Sequence, residues 1–114
     1  MATISDASKK NVLGEVTETY ENLFRALNPI LYSWNNEPSD KRIHIGFTAE
    51  DMMTALEDLG LDLSKFTGCY QEEEDGNIYT GVNMPELIAL NIHMIQKALN
   101  RIDELEKEVE TLKG

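Results

Sequence analysis

The chain has 114 residues, 41% of them hydrophobic, which allows one small domain with a modest core. Its formal net charge of -11 argues against nucleic acid and anionic membranes as partners, because both would repel the chain at long range. The lone Cys69 cannot form an internal disulfide, which suits a reducing compartment. The sequence has no apolar run long enough to span a membrane and no hydrophobic core of a signal peptide, so it predicts a soluble protein made in a cytoplasm.

The first predicted elements are a helix and a pair of strands. Apolar side chains at helical spacing predict a helix over Thr17–Asn28, which Pro29 ends because proline cannot continue it. The short apolar and aromatic run Ile30–Trp34 is followed by turn residues, which is typical of a strand. We expect Ile43–Phe47 to pair with it.

A second short helix is predicted after these strands. Thr48 with Asp51 three residues later is close to a capping box, and Gly60 is a typical stop. One side of this helix carries the apolar residues Met52, Met53, Leu56 and Leu59.

A β-hairpin is predicted next, with strands at Cys69–Gln71 and Ile78–Thr80. The Asp75-Gly76 pair between them favours a turn that needs positive φ. The acidic run Glu72–Glu74 would lie at its tip.

A long helix over Met84–Lys113 has the most informative pattern in the chain. Asn83, Pro85 and Glu86 are typical of a helix start. Apolar residues then repeat every seven positions, as in the a and d columns of a coiled coil. The a column is Ile88, Ile95, Ile102 and Val109, and the d column is Asn91, Ala98, Leu105 and Leu112.

The flanks of this pattern favour parallel association. Arg101 at g would face Glu106 at e of a neighbour, and Glu108 would face Lys113, so both pairs have opposite charge. Asn91 is polar within the apolar columns and could fix the register of the helices. The heptads alone leave the number of helices open, although β-branched residues at a lean toward two.

These elements predict an α+β fold, with a small globular part of short helices and antiparallel strands before a long coiled-coil helix. A metal site is not expected. His44 and His93 are far apart, without cysteine or carboxylate at ligand spacing, and His93 at an f position would point outward. A calcium loop around Asp75-Gly76 is rejected because Gln71 and Val82 stand where acidic ligands are required. No cofactor is expected.

The polar N-terminal stretch holds one candidate for chemistry. A serine hydroxyl can attack the carbonyl of the preceding residue through a five-membered ring, and a lysine with a lowered pKa can remove its proton. Ser5 is followed five residues later by Lys10. Spacing alone gives this pair little weight against a solvated chain start.

The order of segments along the chain adds to this reading. Ser5-Asp6 with Lys9-Lys10-Asn11 comes first, followed by Tyr20–Trp34 with its Leu-Asn-Pro and Tyr-Ser-Trp-Asn core. His44–Asp51 and the apolar Leu87–Leu99 stretch complete the series. In this order the chain resembles the C-terminal intramolecular chaperone domain of bacteriophage tail spikes, tail fibres and neck appendages, the endosialidase-type chaperone or S74 peptidase family.

The resemblance implies a homotrimer that guides the folding of its own upstream β-rich stem and then releases itself by autoproteolysis. Residues 1–4 would be the end of the stem, 5–83 the globular chaperone part and 84–114 the trimerisation helix. The a and d residues would form the trimer interface. The protein would act in the bacterial host cytoplasm during phage assembly, with its parent protein in the virion tail.

The resemblance also assigns roles to individual residues. It makes Ser5 the nucleophile, Lys10 the general base and Ile4-Ser5 the scissile bond, with Asp6 as the acidic neighbour that holds local geometry or charge. Lys9 is the rival base, and only the family spacing favours Lys10. Two alternatives remain: a trimerisation chaperone that never cleaves, and a coiled-coil adaptor that binds a separate partner helix.

Overall fold

The structure, a computed structural model, describes residues 6–36, 42–62 and 64–114. It confirms the predicted α+β class. After a 3₁₀ turn at Ala7–Lys9, the elements in chain order are α1 (Glu18–Ala26), β1 (Ile30–Tyr32), β2 (His44–Gly46), α2 (Ala49–Asp58), β3 (Cys69–Glu74), β4 (Asn77–Val82) and α3 (Met84–Lys113).

The two short helices begin and end near their predicted limits. α1 ends at Ala26, and Leu27 is already extended two residues before Pro29. The predicted cap of α2 is confirmed, since the backbone N–H of Asp51 donates to Thr48 Oγ1 at 3.3 Å. α2 ends where Gly60 adopts a φ of +69°, which glycine permits without strain.

The predicted pairing of the first two strands is confirmed. β1 and β2 are antiparallel, with Leu31 opposite Ile45 and Tyr32 opposite His44. The Tyr32 and His44 rings stack at 5.1 Å between centroids. Among the elements the structure describes, this two-stranded sheet packs against no other element.

The second hairpin is also as predicted and longer than expected. β3 and β4 pair from Cys69 opposite Val82 to Glu74 opposite Asn77. Asp75 and Gly76 have φ angles of 52° and 82°, the positive values that a two-residue hairpin turn requires. Both strands contact α2 near the base of the hairpin.

α3 has the bounds predicted from the heptads, but its N-terminal cap differs. Asn83 makes no side-chain cap bond, and Glu86 accepts a hydrogen bond from the Thr67 hydroxyl rather than completing a capping box. Within the described residues, no helix is long and apolar enough to cross a membrane.

A single core joins α1, α2, the base of the second hairpin and the first turns of α3. Tyr20, Phe66 and Val82 are partly buried around it. Its buried members are Leu23, Met52, Ala55, Leu56, Cys69 and Leu87.

Candidate functional site

The described part of the predicted catalytic stretch contains a capped 3₁₀ turn. The Asp6 side chain accepts a hydrogen bond from the backbone N–H of Ser8 at 3.0 Å, and the N–H of Lys10 donates to the carbonyl of Ala7 at 3.1 Å. A 3₁₀ turn rises about 2 Å per residue, against about 3.3 Å for an extended chain. The turn therefore places Lys10 closer to Asp6 than an extended chain would.

Asp6 holds this turn as a carboxylate. Hydrogen bonds from the Ser8 backbone and then from its hydroxyl lower the pKa of Asp6, because they favour the charged form. This cap is compatible with the geometric role predicted for Asp6.

The nucleophile and base predicted from the sequence are not seen together. Ser5 and Ile4 lie outside the described residues. Lys9 and Lys10 both have exposed side chains in the single chain. A lysine acts as a general base when burial or neighbouring charge favours the neutral amine. The single chain does not bury either candidate.

The segment after the turn leads to α3. Val12 and Leu13 are strongly exposed, and Gly14 has a φ of +137°. Gly14–Val16 then line a groove together with His93 and Lys97 of α3. Lys10 is thus separated by only a few residues of chain from the segment that contacts α3.

A polar cluster that sequence reasoning missed joins α1 to α3. Glu21 is only 8% exposed, and its carboxylate lies 2.7 Å from His93 Nε2 and 2.5 Å from Lys97 Nζ. The hydrogen bonds from Lys97 and then His93 lower the pKa of Glu21. Its sequence signal was the i, i+4 spacing of His93 and Lys97 on one face of a helix.

The expectation that His93 points away from the a and d columns into solvent is wrong in one respect. His93 lies off those columns, but its side chain is half-buried against Glu21. The reason is that α1 packs on this side of α3, which heptad positions alone do not reveal. Across the ranges that the structure covers, no three His, Cys, Asp or Glu side chains are arranged to hold a metal.

α3 has two different faces. Leu87 and Leu90 are buried in the globular core, whereas the predicted interface columns are exposed in the single chain. Arg101 pairs within its own helix, with Nη1 2.9 Å from Glu104 Oε2. The exposed columns are Ile88, Asn91, Ile95, Ala98, Ile102, Leu105, Val109 and Leu112.

The exposed apolar face of α3, called the bare face below, includes more than the a and d residues. Ile92 and Leu99, both at e positions, are 52% and 55% exposed beside the a column. An apolar face of this width on one helix is typical of a surface that another helix covers. The e residues were visible in the sequence as apolar neighbours of a.

Comparison with known proteins supplies the family. No curated protein matches the chain. A family model described as chaperone of endosialidase, Peptidase S74, matches residues 5–61. The match includes the 3₁₀ turn, α1, both strands of the first sheet and α2, while the α3 helix lies beyond it. Because this span is half of the 114 residues, the chain belongs to the S74 peptidase family of endosialidase-type chaperones, which indicates a chaperone role.

Proposed function

We propose that this chaperone trimerises through α3, sets the register in which an upstream β-rich phage stem folds, and then releases itself by cutting the Ile4-Ser5 bond. The observation that carries the proposal is the bare apolar face of α3. Exposing such a face over most of a thirty-residue helix is unfavourable in water, so association of identical chains would be driven by its burial.

Trimerisation before stem folding follows from the kinetics of the two events. A helix forms from local contacts, whereas a β-rich stem needs contacts between distant residues and between chains. Three α3 helices that associate first would hold the stems in one register before their slower pairing begins.

The proposed cleavage is a single turnover in each protomer. Lys10 takes the proton from the Ser5 hydroxyl as its oxygen attacks the carbonyl carbon of Ile4. The Ile4-Ser5 amide bond breaks, the Ser5 nitrogen gains a proton and becomes the new amino terminus, and an ester joins Ile4 to the Ser5 oxygen. Water then hydrolyses that ester, leaving a carboxylate at Ile4 and restoring the hydroxyl of Ser5.

Assembly would supply what the single chain lacks. Lys10 is exposed, so its burial would have to come from the stem or a neighbouring protomer. Cleavage would then follow correct assembly and make release of the chaperone irreversible. The partners are accordingly two further copies of this chain and its own upstream stem, in the cytoplasm of the bacterial host.

The test uses the chain fused to its native upstream stem. On a denaturing gel the wild type should yield a fragment whose first residue is Ser5, and Ser5→Ala should stay intact. Ser8→Ala is the matched control, because it removes a nearby serine hydroxyl in the 3₁₀ turn but keeps the backbone hydrogen bond to Asp6. An uncut wild type, indistinguishable from Ser5→Ala, would disprove self-cleavage.

A chaperone that trimerises without cutting is the second candidate. The exposure of both Lys9 and Lys10 favours it, since neither amine is buried in the single chain. It predicts a wild-type fusion that is trimeric, folded and uncut.

A further inference from the structure

The exposed apolar face of α3 is bordered on one side by α1 and on the other by solvent. Successive residues of a helix are about 100° apart, which places the e and g columns on opposite sides of a and d. On the g side, Leu87 is buried in the core that Leu23 of α1 also joins, and Met94 lines a groove with Phe24 of α1. On the e side, Ile92 and Leu99 are exposed.

A groove lies open where α1 meets the g side of α3. Phe24 and Arg25 of α1 and Met94 of α3 line it, together with Ile95 and Ala98 of the apolar columns. Ala98 stands at a d position where the later heptads have leucine, so the groove stays open toward the bare face at this level.

Charge complementarity commits this groove to a second copy of the chain. In a parallel, in-register pair, each g residue faces the e residue five positions later on its neighbour. Arg101 then faces Glu106, and Glu108 faces Lys113. The same register places Met94 against Leu99, so that apolar residues meet apolar residues at this level of α3. Leu87, the g residue one heptad earlier, is buried in the core of its own chain.

We infer that Leu99 docks into the groove between α1 and α3 of the next protomer, against Met94 and Phe24. The inference rests on the proposed parallel trimer and deepens it. It makes α1 a part of the subunit interface, so that the globular part of each chain is held to its neighbour as well as to its own helix.

A cysteine pair tests this contact directly. Oxidation of a Phe24→Cys/Leu99→Cys chain with copper phenanthroline should join the two thiols across protomers and give covalent trimers on a non-reducing gel, whereas a coil without the α1 contact should not cross-link at this pair. Each single variant should run as a monomer. Cys69 is buried and should not interfere, and repeating the experiment with Cys69→Ala checks this.

A control pair and the wild type separate the possible failures. Glu108→Cys/Lys113→Cys lies in the charged half and should cross-link in any parallel in-register coil. If the wild type sediments as a monomer, the proposed trimer itself is wrong. If the wild type is trimeric but the 24/99 pair does not cross-link, whether or not the control pair does, the inferred docking is overturned.

A second measurement guards against a cysteine variant that fails to fold. Leu99→Ala should raise the midpoint concentration for trimer dissociation by about tenfold or more, because a buried leucine loses most of its apolar area in each protomer. Asp103→Ala, at an exposed b position, should leave that midpoint unchanged. Equal midpoints for Leu99→Ala and the wild type would overturn the docking.

Discussion

The choice between Lys9 and Lys10 as base belongs to the scale of single residues. Both are exposed, but Lys9 lies within the 3₁₀ turn and Lys10 directly follows it in extended backbone. In the stem fusion, Lys10→Ala should slow cleavage by about a hundredfold or more, the usual contribution of a general base. Lys9→Ala should cut at close to the wild-type rate. A time course on denaturing gels measures both, and the reverse order would make Lys9 the base.

Leu23 is the most buried side chain of the core, at 0% exposed, whereas Leu13 is 93% exposed. Truncating a fully buried leucine removes its contacts and leaves a cavity, so Leu23→Ala should lower the free energy of unfolding by about 2–5 kcal/mol. The same change at Leu13 should cost less than about 0.5 kcal/mol. Urea unfolding of both variants under conditions that hold subunit concentration fixed compares them. Equal losses would contradict the assignment of the core.

Glu21 should make the free energy of unfolding depend on pH in the acid range. Its pKa is lowered in the folded state, so its contribution is present above the unfolded pKa near 4.5 and is lost as pH falls through the lower, folded value. Glu21→Gln should therefore reduce the melting temperature at pH 7 and flatten its fall between pH 5 and pH 3. Glu18→Gln, an exposed carboxyl on the same helix, is the control. Parallel pH profiles for Glu21→Gln and the wild type would show that the cluster carries no such linkage.

Residue-level prediction from sequence succeeded where the partners are local. The Thr48 cap needs only the residue three positions on, and it is present. The box at Asn83 and Glu86 is equally good in sequence, yet Glu86 bonds Thr67, nineteen residues away. A competing partner brought in by the tertiary fold decides such cases, as it does for His93 and Glu21.

At the scale of elements, periodicity was the most reliable signal. The bounds of α3 and the turn at Asp75-Gly76 follow from the heptad pattern and from the need for positive φ, both of which are local. The 3₁₀ turn at Ala7–Lys9 has no apolar period and was not predicted. The groove beside Phe24 could not be predicted either, because it depends on how α1 packs on α3.

The two hairpins should differ in their opening. β1 and β2 have three residues each and contact no other described helix or strand, while β3 and β4 have six and contact α2. An isolated two-stranded hairpin is marginal in water. Backbone amides of β1 and β2 should therefore exchange with deuterium well before those at the α2 end of β3 and β4. Mass spectrometry of exchanged peptides measures this, and equal protection would contradict it.

For the whole molecule, the core and the bare face are separate regions of one chain. The core ends with the first turns of α3 at Leu87 and Leu90, and every residue from 98 to 114 is exposed. The globular part thus has its own packing, whereas the far half of α3 has none in the single chain. Its helical structure would be stabilised by association, because most of the stability of a helix in a protein comes from the packing of its apolar face.

Polar substitutions in the far half of α3 should therefore separate assembly from folding of the globular part. Ile102→Gln with Val109→Gln places two amides in the a column, which should shift the chain from trimer to monomer and reduce the helical signal in circular dichroism. Asp103→Gln with Glu110→Gln changes the next residue in each case, at exposed b positions, and should preserve the trimer.

In both variants Cys69 should resist thiol reagents until urea is added, because it is buried in the core and burial raises the pKa of its thiol. Sedimentation gives the assembly state. A trimeric Ile102/Val109 variant would refute the proposed interface, and a reactive Cys69 in a monomeric one would show that the core needs the trimer.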